Sequence, residues 1–321
     1  MSASTDIPVR VAKVTQVADR IKRFRFERPD GRPLPFFSGG AHVVVSMTDE
    51  GLLRRNAYSL MSPPSEPSGY EISVLKVEES RGGSLFMHGK VREGDALTIS
   101  QPVNLFAPDW RGRKHILIAG GIGITPFLAM MAQFARDSIP FELHYAMRSR
   151  SYGAYWRELM EQYGEHRVKV YFNDENGMIP VGAILANQPL GTHLYVCGPG
   201  PMIDSILTAG REAGWPKENL HFERFLAPPP GKPFIAELVR SGMSVPVGEH
   251  QSLLEAIEAA GIDAPFMCRG GACGQCETSV ETCDGTLLHN DIYLSDEEKA
   301  SSRKIMICVS RFKGKRLSLD L

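Results

Sequence analysis

The sequence predicts a multidomain chain: an antiparallel β-barrel, then an α/β domain with a doubly wound parallel sheet, then a compact C-terminal domain built around a cysteine loop. Three observations predict it. Short alternating runs divided by turn clusters fill the chain from about residue 7 to 108. From about 112 to 226 the period changes to repeated strand–helix units. Beyond a proline-rich stretch, Cys268, Cys273 and Cys276 crowd one loop and Cys308 follows. A length of 321 residues agrees, since one core rarely serves more than ~250–300 residues.

In the first part the runs 9–17, 21–26, 42–47, 70–77 and 96–100 read as strands, and Ser62-Pro-Pro-Ser-Glu-Pro-Ser-Gly69 reads as a loop. Many short strands with little helix argue an antiparallel barrel. In the second part apolar runs at 115–119, 141–146, 168–172 and 193–197 alternate with helical stretches at 125–136, 155–163 and 202–213. That alternation implies a parallel sheet covered on both faces. Ala227-Pro-Pro-Pro-Gly-Lys-Pro233 places four prolines in seven residues, a semi-rigid linker. The domains are therefore drawn at 1–110, 111–226 and 234–321, with 227–233 joining the last two. In the third, Ser241-Gly242 between two strand-like runs signals a hairpin. Ser252-Leu-Leu-Glu255 and Ser295-Asp-Glu-Glu298 are capping boxes that open short helices.

Charge excludes some functions. With 36 basic and 37 acidic residues there is no electrostatic footprint for nucleic acid or an anionic membrane. Residues 116–134 carry no formal charge over 19 positions, long enough to be scored as a membrane helix. Gly120-Gly121-Ile-Gly123-Ile-Thr125-Pro126 breaks that helix in the middle, and strand, glycine loop and helix is the better parse. The first residues lack a basic and an apolar segment of the kind that marks export, so a cytoplasmic enzyme, expected to be a monomer, is the reading. Six cysteines are too few for a disulfide scaffold.

The most specific motif is Cys268-Arg-Gly-Gly-Ala-Cys273-Gly-Gln-Cys276, with 31 residues between Cys276 and Cys308. C-x4-C-x2-C with a distant fourth cysteine is the plant-type [2Fe–2S] ligand pattern. Gly270, Gly271 and Gly274 let the backbone wrap closely and aim N–H groups at the sulfurs. A structural zinc site usually shows two paired-cysteine knuckles, and one pair is missing. A one-electron cluster fused to a larger enzyme implies electron transfer. Cys197 and Cys283 are left over as free thiols.

Two glycine loops close strands of the parallel sheet. Gly120, Gly121 and Gly123 precede Thr125, a candidate N-cap, and Pro126. Such a loop lets a backbone approach a pyrophosphate at a helix N-terminus, although Pro126 stands where the third fingerprint glycine would be. Cys197-Gly198-Pro199 ends the fourth strand, where ligands sit in these sheets. Cys197 is either a small buried residue or a neighbour of a nicotinamide ring. In the barrel, Arg55-Asn56-Ala57-Tyr58-Ser59 and Arg81-Gly82-Gly83-Ser84 offer an aromatic ring, guanidiniums and N–H groups suited to a phosphate monoester.

In their order, Arg81-Gly-Gly-Ser84, Gly120-Gly-Ile-Gly-Ile-Thr-Pro126, Cys197-Gly-Pro199, His221-Phe-Glu-Arg-Phe225 and the cysteine pattern resemble the phthalate dioxygenase reductase family over nearly the whole chain. Asn56-Ala-Tyr-Ser-Leu60, Asn104-Leu-Phe-Ala107 and Lys313-Gly-Lys-Arg-Leu317 resemble the carnitine monooxygenase reductase subgroup in particular. The resemblance implies a six-stranded flavin-binding barrel, an NADH-binding α/β domain and a C-terminal α+β ferredoxin domain of β-grasp type. FMN would lie with its ring on Tyr58, its N5 near Ser59 and its phosphate on Arg81, Gly82, Gly83 and Ser84. Asn56 stands where the family's arginine would be, so Arg55 becomes the second candidate cation. Phe225 matches an aromatic near the flavin. No acid–base pair is needed, because the cofactors carry the electrons from NADH through FMN and the [2Fe–2S] cluster.

The expected acceptor is the terminal, Rieske-type component of a two-component oxygenase, docking near Arg269 and Ala272. A stand-alone flavin or iron reductase is the other enzyme reading, and a non-enzymatic iron–sulfur sensor the third. NADH is preferred to NADPH on that resemblance. The residue cues oppose each other: Arg148 and Arg150 follow the second strand and could meet a 2′-phosphate, whereas Asp174 follows the third and would repel it.

Overall fold

The computed structural model describes residues 6–49, 51–175, 177–226 and 230–321. The barrel comprises β1 (Ile7–Ala18), β2 (Ile21–Glu27), β3 (Ala41–Asp49), β4 (Leu52–Ser59), β5 (Tyr70–Leu75), helix α1 (Gly83–Gly89), β6 (Ala96–Ile99) and the short β7 (Val103–Asn104). Its strands run in the order β4-β3-β6-β1-β2-β5, with β7 added beside β3, and every pairing is antiparallel. Along β1, Ile7, Val9 and Val11 are buried while the residues between them face out. That period of two drives one face of each strand into a core with Phe24, Phe26, Val43, Val45, Tyr70 and Ile72.

The two end strands, β4 and β5, are not paired with each other. The barrel therefore has a seam, and the loop after β5 leads directly to Arg81-Gly82-Gly83-Ser84. β4 and α1 went unread in the sequence. Leu-Leu-Arg-Arg-Asn-Ala-Tyr-Ser is half-buried almost throughout, so it shows no alternation of apolar residues. Helix α1 has seven residues, about two turns, too short to display a helical period.

The middle domain is a five-stranded parallel sheet, β8 (Lys114–Gly120), β9 (Phe141–Met147), β10 (Val168–Phe172), β11 (Thr192–Cys197) and β12 (Leu220–Glu223), in the order β10-β9-β8-β11-β12. Order reverses between β8 and β11, the switch point at which ligands bind in such sheets. Leu117, Ala119, Tyr195 and Cys197 face α2 (Thr125–Arg136) and α3 (Trp156–Tyr163). Ile116, Ile118, Leu194 and Val196 face α4 (Val181–Leu185) and α5 (Gly200–Glu212). Covering both faces is what allows these strands to be apolar without alternation.

The last domain contains β13 (Phe234–Leu238), β14 (Met243–Val247), α6 (Leu253–Ala259), β15 (Glu277–Cys283), β16 (Thr286–Leu288), α7 (Asp296–Ser301), β17 (Lys304–Met306), β18 (Arg311–Lys313) and β19 (Arg316–Leu319). Its main sheet runs β14-β13-β19-β15-β17, and β16 pairs with β18. Both capping boxes are formed, Ser252 with Glu255 and Ser295 with Glu298. The expected linker falls partly on residues 227–229, outside the described residues. Among the described residues no helix is long and apolar enough to cross a membrane.

The barrel is seated tightly on the middle domain. Ile21, Met61 and Phe106 join the core beneath α2. The N–H of Gly39 donates to Gln133 Oε1 at 2.7 Å, and a Cβ at Gly39 would lie 2.7 Å from the Met130 backbone. That close approach fixes the seam relative to the sheet's switch point.

Candidate electron-transfer site

The cysteine loop, 268–276, leads into β15, and Cys308 stands in the turn immediately after β17 rather than within a strand. Pairing of β15 with β17 matches Glu277 to Met306, which brings the loop's end beside that turn. Cys276 Sγ lies 3.1 Å from Cys308 Sγ. The Cys268 thiol is held down to about 5, first by a hydrogen bond from Cys273 and then by surrounding N–H groups. The four sulfurs thus fall into two pairs, and the Gly270 N–H reaches Cys268 Sγ at 3.3 Å. Among the described residues no three His, Cys, Asp or Glu side chains converge as a single ion requires. Two sulfur pairs fit a two-iron cluster. Gly271 (φ +71) and Gly274 (φ +77) take left-handed backbone, and a Cβ at Gly274 would strike the Tyr293 ring at 2.3 Å.

Arg269 is not at the outer surface, contrary to the sequence expectation. It is 8% exposed, turned inward with its guanidinium 3.9 Å from the centre of the Phe266 ring. Ala272 is exposed as expected, as are the rings of Phe266 and Tyr293.

At the barrel seam, alternation along β4 sends Arg54, Asn56 and Tyr58 to one side and Arg55, Ala57 and Ser59 to the other. Asn56 Nδ2 donates to the Tyr58 hydroxyl at 3.3 Å and lies where a Cβ on Gly83 would meet it at 2.5 Å. Arg54 Nε donates to the Arg81 carbonyl at 2.7 Å, with its guanidinium against Gly82, which has φ +102. Ser84 Oγ is engaged by the Val77 backbone, and this closes the loop. Two guanidinium nitrogens here, Arg54 Nη1 and Arg81 Nε, are buried without a hydrogen-bond partner. Each guanidinium has a carboxylate near it, Asp49 at 3.7 Å from Arg54 Nη1 and Glu255 on Arg81 Nη1, yet these two nitrogens lack a hydrogen bond, and such donors beside a glycine turn fit a phosphate group. Sequence reading named Arg55; its guanidinium instead meets Glu258 of α6 at 2.7 Å. Arg54 was missed, although its position two residues before Asn56 puts it on the side where the absent arginine would stand.

At the switch point the two glycine loops pack on each other. A Cβ at Gly123 would lie 2.3 Å from the Cys197 carbonyl oxygen, and one at Gly198 would lie 3.0 Å from Gly120 Cα. Gly121 takes φ +54 and opens a 3-10 turn, Gly121–Ile124, that runs straight into α2. Thr125 is therefore not the N-cap that the sequence suggested. Its hydroxyl donates back to the Ile122 carbonyl at 3.0 Å, because the extra turn already supplies the helix start. Pro199 precedes α5.

Cys197 is fully buried, and its register partner on β12 is Glu223. That carboxyl is buried, with Oε2 unpartnered, and burial pushes it up to about 8. In the sequence Glu223 stands only within the His221–Phe225 motif, and its short strand, which also carries His221, gives no signal of its burial. Two residues on, the Phe225 ring is 47% exposed. At the far end of the sheet, Arg150 makes a bidentate pair with Glu175 at 2.7 and 2.8 Å. Asp174 is exposed beside them.

Comparison with known proteins agrees with this layout. Residues 237–313 match the 2Fe-2S iron-sulfur cluster binding domain, and residues 98–220 match the dimethylamine monooxygenase subunit DmmA-like N-terminal domain. The carnitine monooxygenase reductase subunit of Acinetobacter baumannii is 45% identical over 316 residues, covering 98% of both chains. The heme-dependent oxidative N-demethylase beta subunit of Ectopseudomonas mendocina is 42% identical, over 99% of this chain and 100% of that one. Among solved structures, phthalate dioxygenase reductase, a modular protein for electron transfer from pyridine nucleotides to [2Fe-2S], superposes with a TM-score of 0.90 at 33% identity, over 98% of each chain. A barrel, a parallel sheet and a ferredoxin domain in this order, with relatives matched along their whole length, establish that the chain belongs to the phthalate dioxygenase reductase-like family of oxygenase reductase subunits.

Proposed function

We propose that this chain binds NADH at the β8–β11 switch point so that its hydride would pass directly to FMN at the barrel seam, and relays single electrons through a [2Fe–2S] cluster to an oxygenase. The observation that carries this reading is convergence. The buried phosphate-type donors Arg54 and Arg81, the switch-point loops and the cysteine loop come from three domains that meet at one seam. When bound, the flavin supplies the exchange between a two-electron donor and a one-electron cluster.

The protein's contribution is orientation. Arg54 and Arg81, with the N–H groups of Gly82 and Gly83, would hold a terminal phosphate, which favours FMN over FAD. Tyr58 and Phe225 present ring faces, and Ser59 is buried at the end of β4. Gly120, Gly121, Gly123, Gly198 and Pro199 form the floor against which a dinucleotide would lie, beside Cys197. Arg150 is neutralised by Glu175, which leaves less positive charge for a 2′-phosphate and supports NADH as the donor. Cys268, Cys273, Cys276 and Cys308 would hold the cluster, with the thiols kept reduced in a cytoplasmic setting.

The oxygenase would dock at the exposed face around Ala272, Phe266 and Tyr293. A Rieske-type oxygenase is the partner we propose. The relative named as part of a heme-dependent N-demethylase favours a second reading in which the acceptor carries heme. Reconstitution decides between them: NADH-driven substrate oxidation with a purified Rieske oxygenase supports the first. Turnover only with a heme-containing partner supports the second, and NADH oxidation that needs no partner overturns both.

A further inference from the structure

Helix α6 places two carboxylates three residues apart on one face, and both leave their own domain to meet the barrel. Glu255 Oε1 accepts the Arg55 backbone N–H at 3.2 Å, and its Oε2 accepts Arg81 Nη1 at 2.5 Å. Glu258 Oε2 accepts Arg55 Nη1 at 2.7 Å, while its Oε1 accepts Arg269 Nη2. One carboxylate thus has one oxygen on strand β4 of the barrel and the other on the residue that follows Cys268.

Arg269 is held unusually well for a loop residue. It has φ +49, a left-handed conformation that non-glycine residues adopt only where their surroundings enforce it. Its side chain is 4% exposed, against 17% for Glu258 and 22% for Arg55. Charges this far from water are weakly screened, and an ion triad with shared oxygens is geometrically demanding. An exposed ion pair serving only to attach the two domains would need neither the burial nor the strained backbone.

We propose that Glu258 is a positioning residue for internal electron transfer. By gripping Arg55 and Arg269 at once, it sets how closely the cluster loop approaches the flavin-bearing strand. Each transfer removes one electron from the reduced flavin and adds one to the cluster, with NADH as the electron source. The inference rests on the electron route proposed above.

The test compares the holoprotein with Glu258→Gln and with Glu258→Asp, which keeps the charge but shortens the reach. Anaerobic stopped-flow mixing with NADH separates flavin bleaching from cluster bleaching. Hydrogen–deuterium exchange reports residues 264–271 and 52–59 without any turnover. Both variants are expected to keep the flavin phase and slow the cluster phase several-fold, because electron transfer between two fixed centres weakens with each increment of separation. Exchange should rise in both segments. A normal wild-type cluster phase matched by both variants, with exchange unchanged, would overturn this inference alone. A wild type whose flavin bleaches while its cluster stays oxidised would overturn the electron route and this inference with it.

Discussion

Gly123→Ala tests the packing of the nucleotide site with a single methyl group. The added Cβ would lie 2.3 Å from the Cys197 carbonyl oxygen, 2.5 Å from that carbonyl carbon and 2.7 Å from the Gly198 nitrogen. All three are backbone atoms, so no rotamer change relieves the clash. Ordinary contact needs about 3.5 Å, so the ends of β8 and β11 must part by about 1 Å. Overpacking of this kind costs about 1–3 kcal/mol, and each kcal/mol lowers Tm by roughly 4 °C in a domain of little over ~100 residues. The same shift moves the dinucleotide floor away from the barrel seam, and a misplacement near 1 Å is worth up to about 10²-fold in rate. Thermal unfolding and kcat/KM for NADH with ferricyanide as acceptor measure the two effects. Gly182→Ala is the control: its Cβ would enter open space on α4, and it should be neutral or stabilising by up to about 1 kcal/mol. Wild-type Tm together with wild-type kcat/KM in Gly123→Ala would refute the close-packed switch point.

Serine in place of Cys268, Cys273, Cys276 or Cys308 should abolish the reduced-cluster paramagnetic signal. Cys283→Ser should retain it, since Cys283 ends the seven-residue strand that starts after Cys276, about 20 Å away; its loss would contradict the ligand set. Flavin released by acid should chromatograph as FMN, and Arg54→Ala should weaken its rebinding to apoprotein more than Arg92→Ala does. Glu223 stays protonated in the folded chain up to about 8 but ionises in the unfolded chain near ~4.3. Stability is therefore lost as pH climbs through that window. The stability of Glu223→Gln relative to wild type should rise from pH 5 to pH 8 and then level off; a difference that does not vary with pH would remove the buried acid. Glu175→Gln should raise kcat/KM for NADPH relative to NADH by freeing Arg150, and an unchanged ratio would discard that selectivity argument.

What could be read without coordinates followed from how local each signal was. Parallel strands buried on both faces announce themselves as apolar runs, and helix α2 was legible to the residue at 125–136. The cysteine spacing carried the cluster because its ligands are mostly close in sequence. β4 was illegible, since its half-buried arginines answer to a loop 27 residues away and to a helix some 200 residues away. Which side of a strand an arginine occupies depends on register, so Arg55 could be preferred to Arg54 on proximity alone. Arg269 was expected outside for a related reason: only the juxtaposition with α6 turns it inward. Thr125 followed a capping rule that holds for isolated helices and fails where a 3-10 turn precedes the helix.

The central claim is that one polypeptide connects a hydride donor to a one-electron cluster. Anaerobic titration with NADH, followed by flavin absorbance and by the paramagnetic signal of the reduced cluster, tests it most directly. Two electrons on the flavin and one on the cluster require about 1.5 NADH per chain, with the cluster signal growing as the flavin bleaches and absent from Cys308→Ser. A flavin that bleaches fully with one NADH while the cluster remains silent would contradict the account.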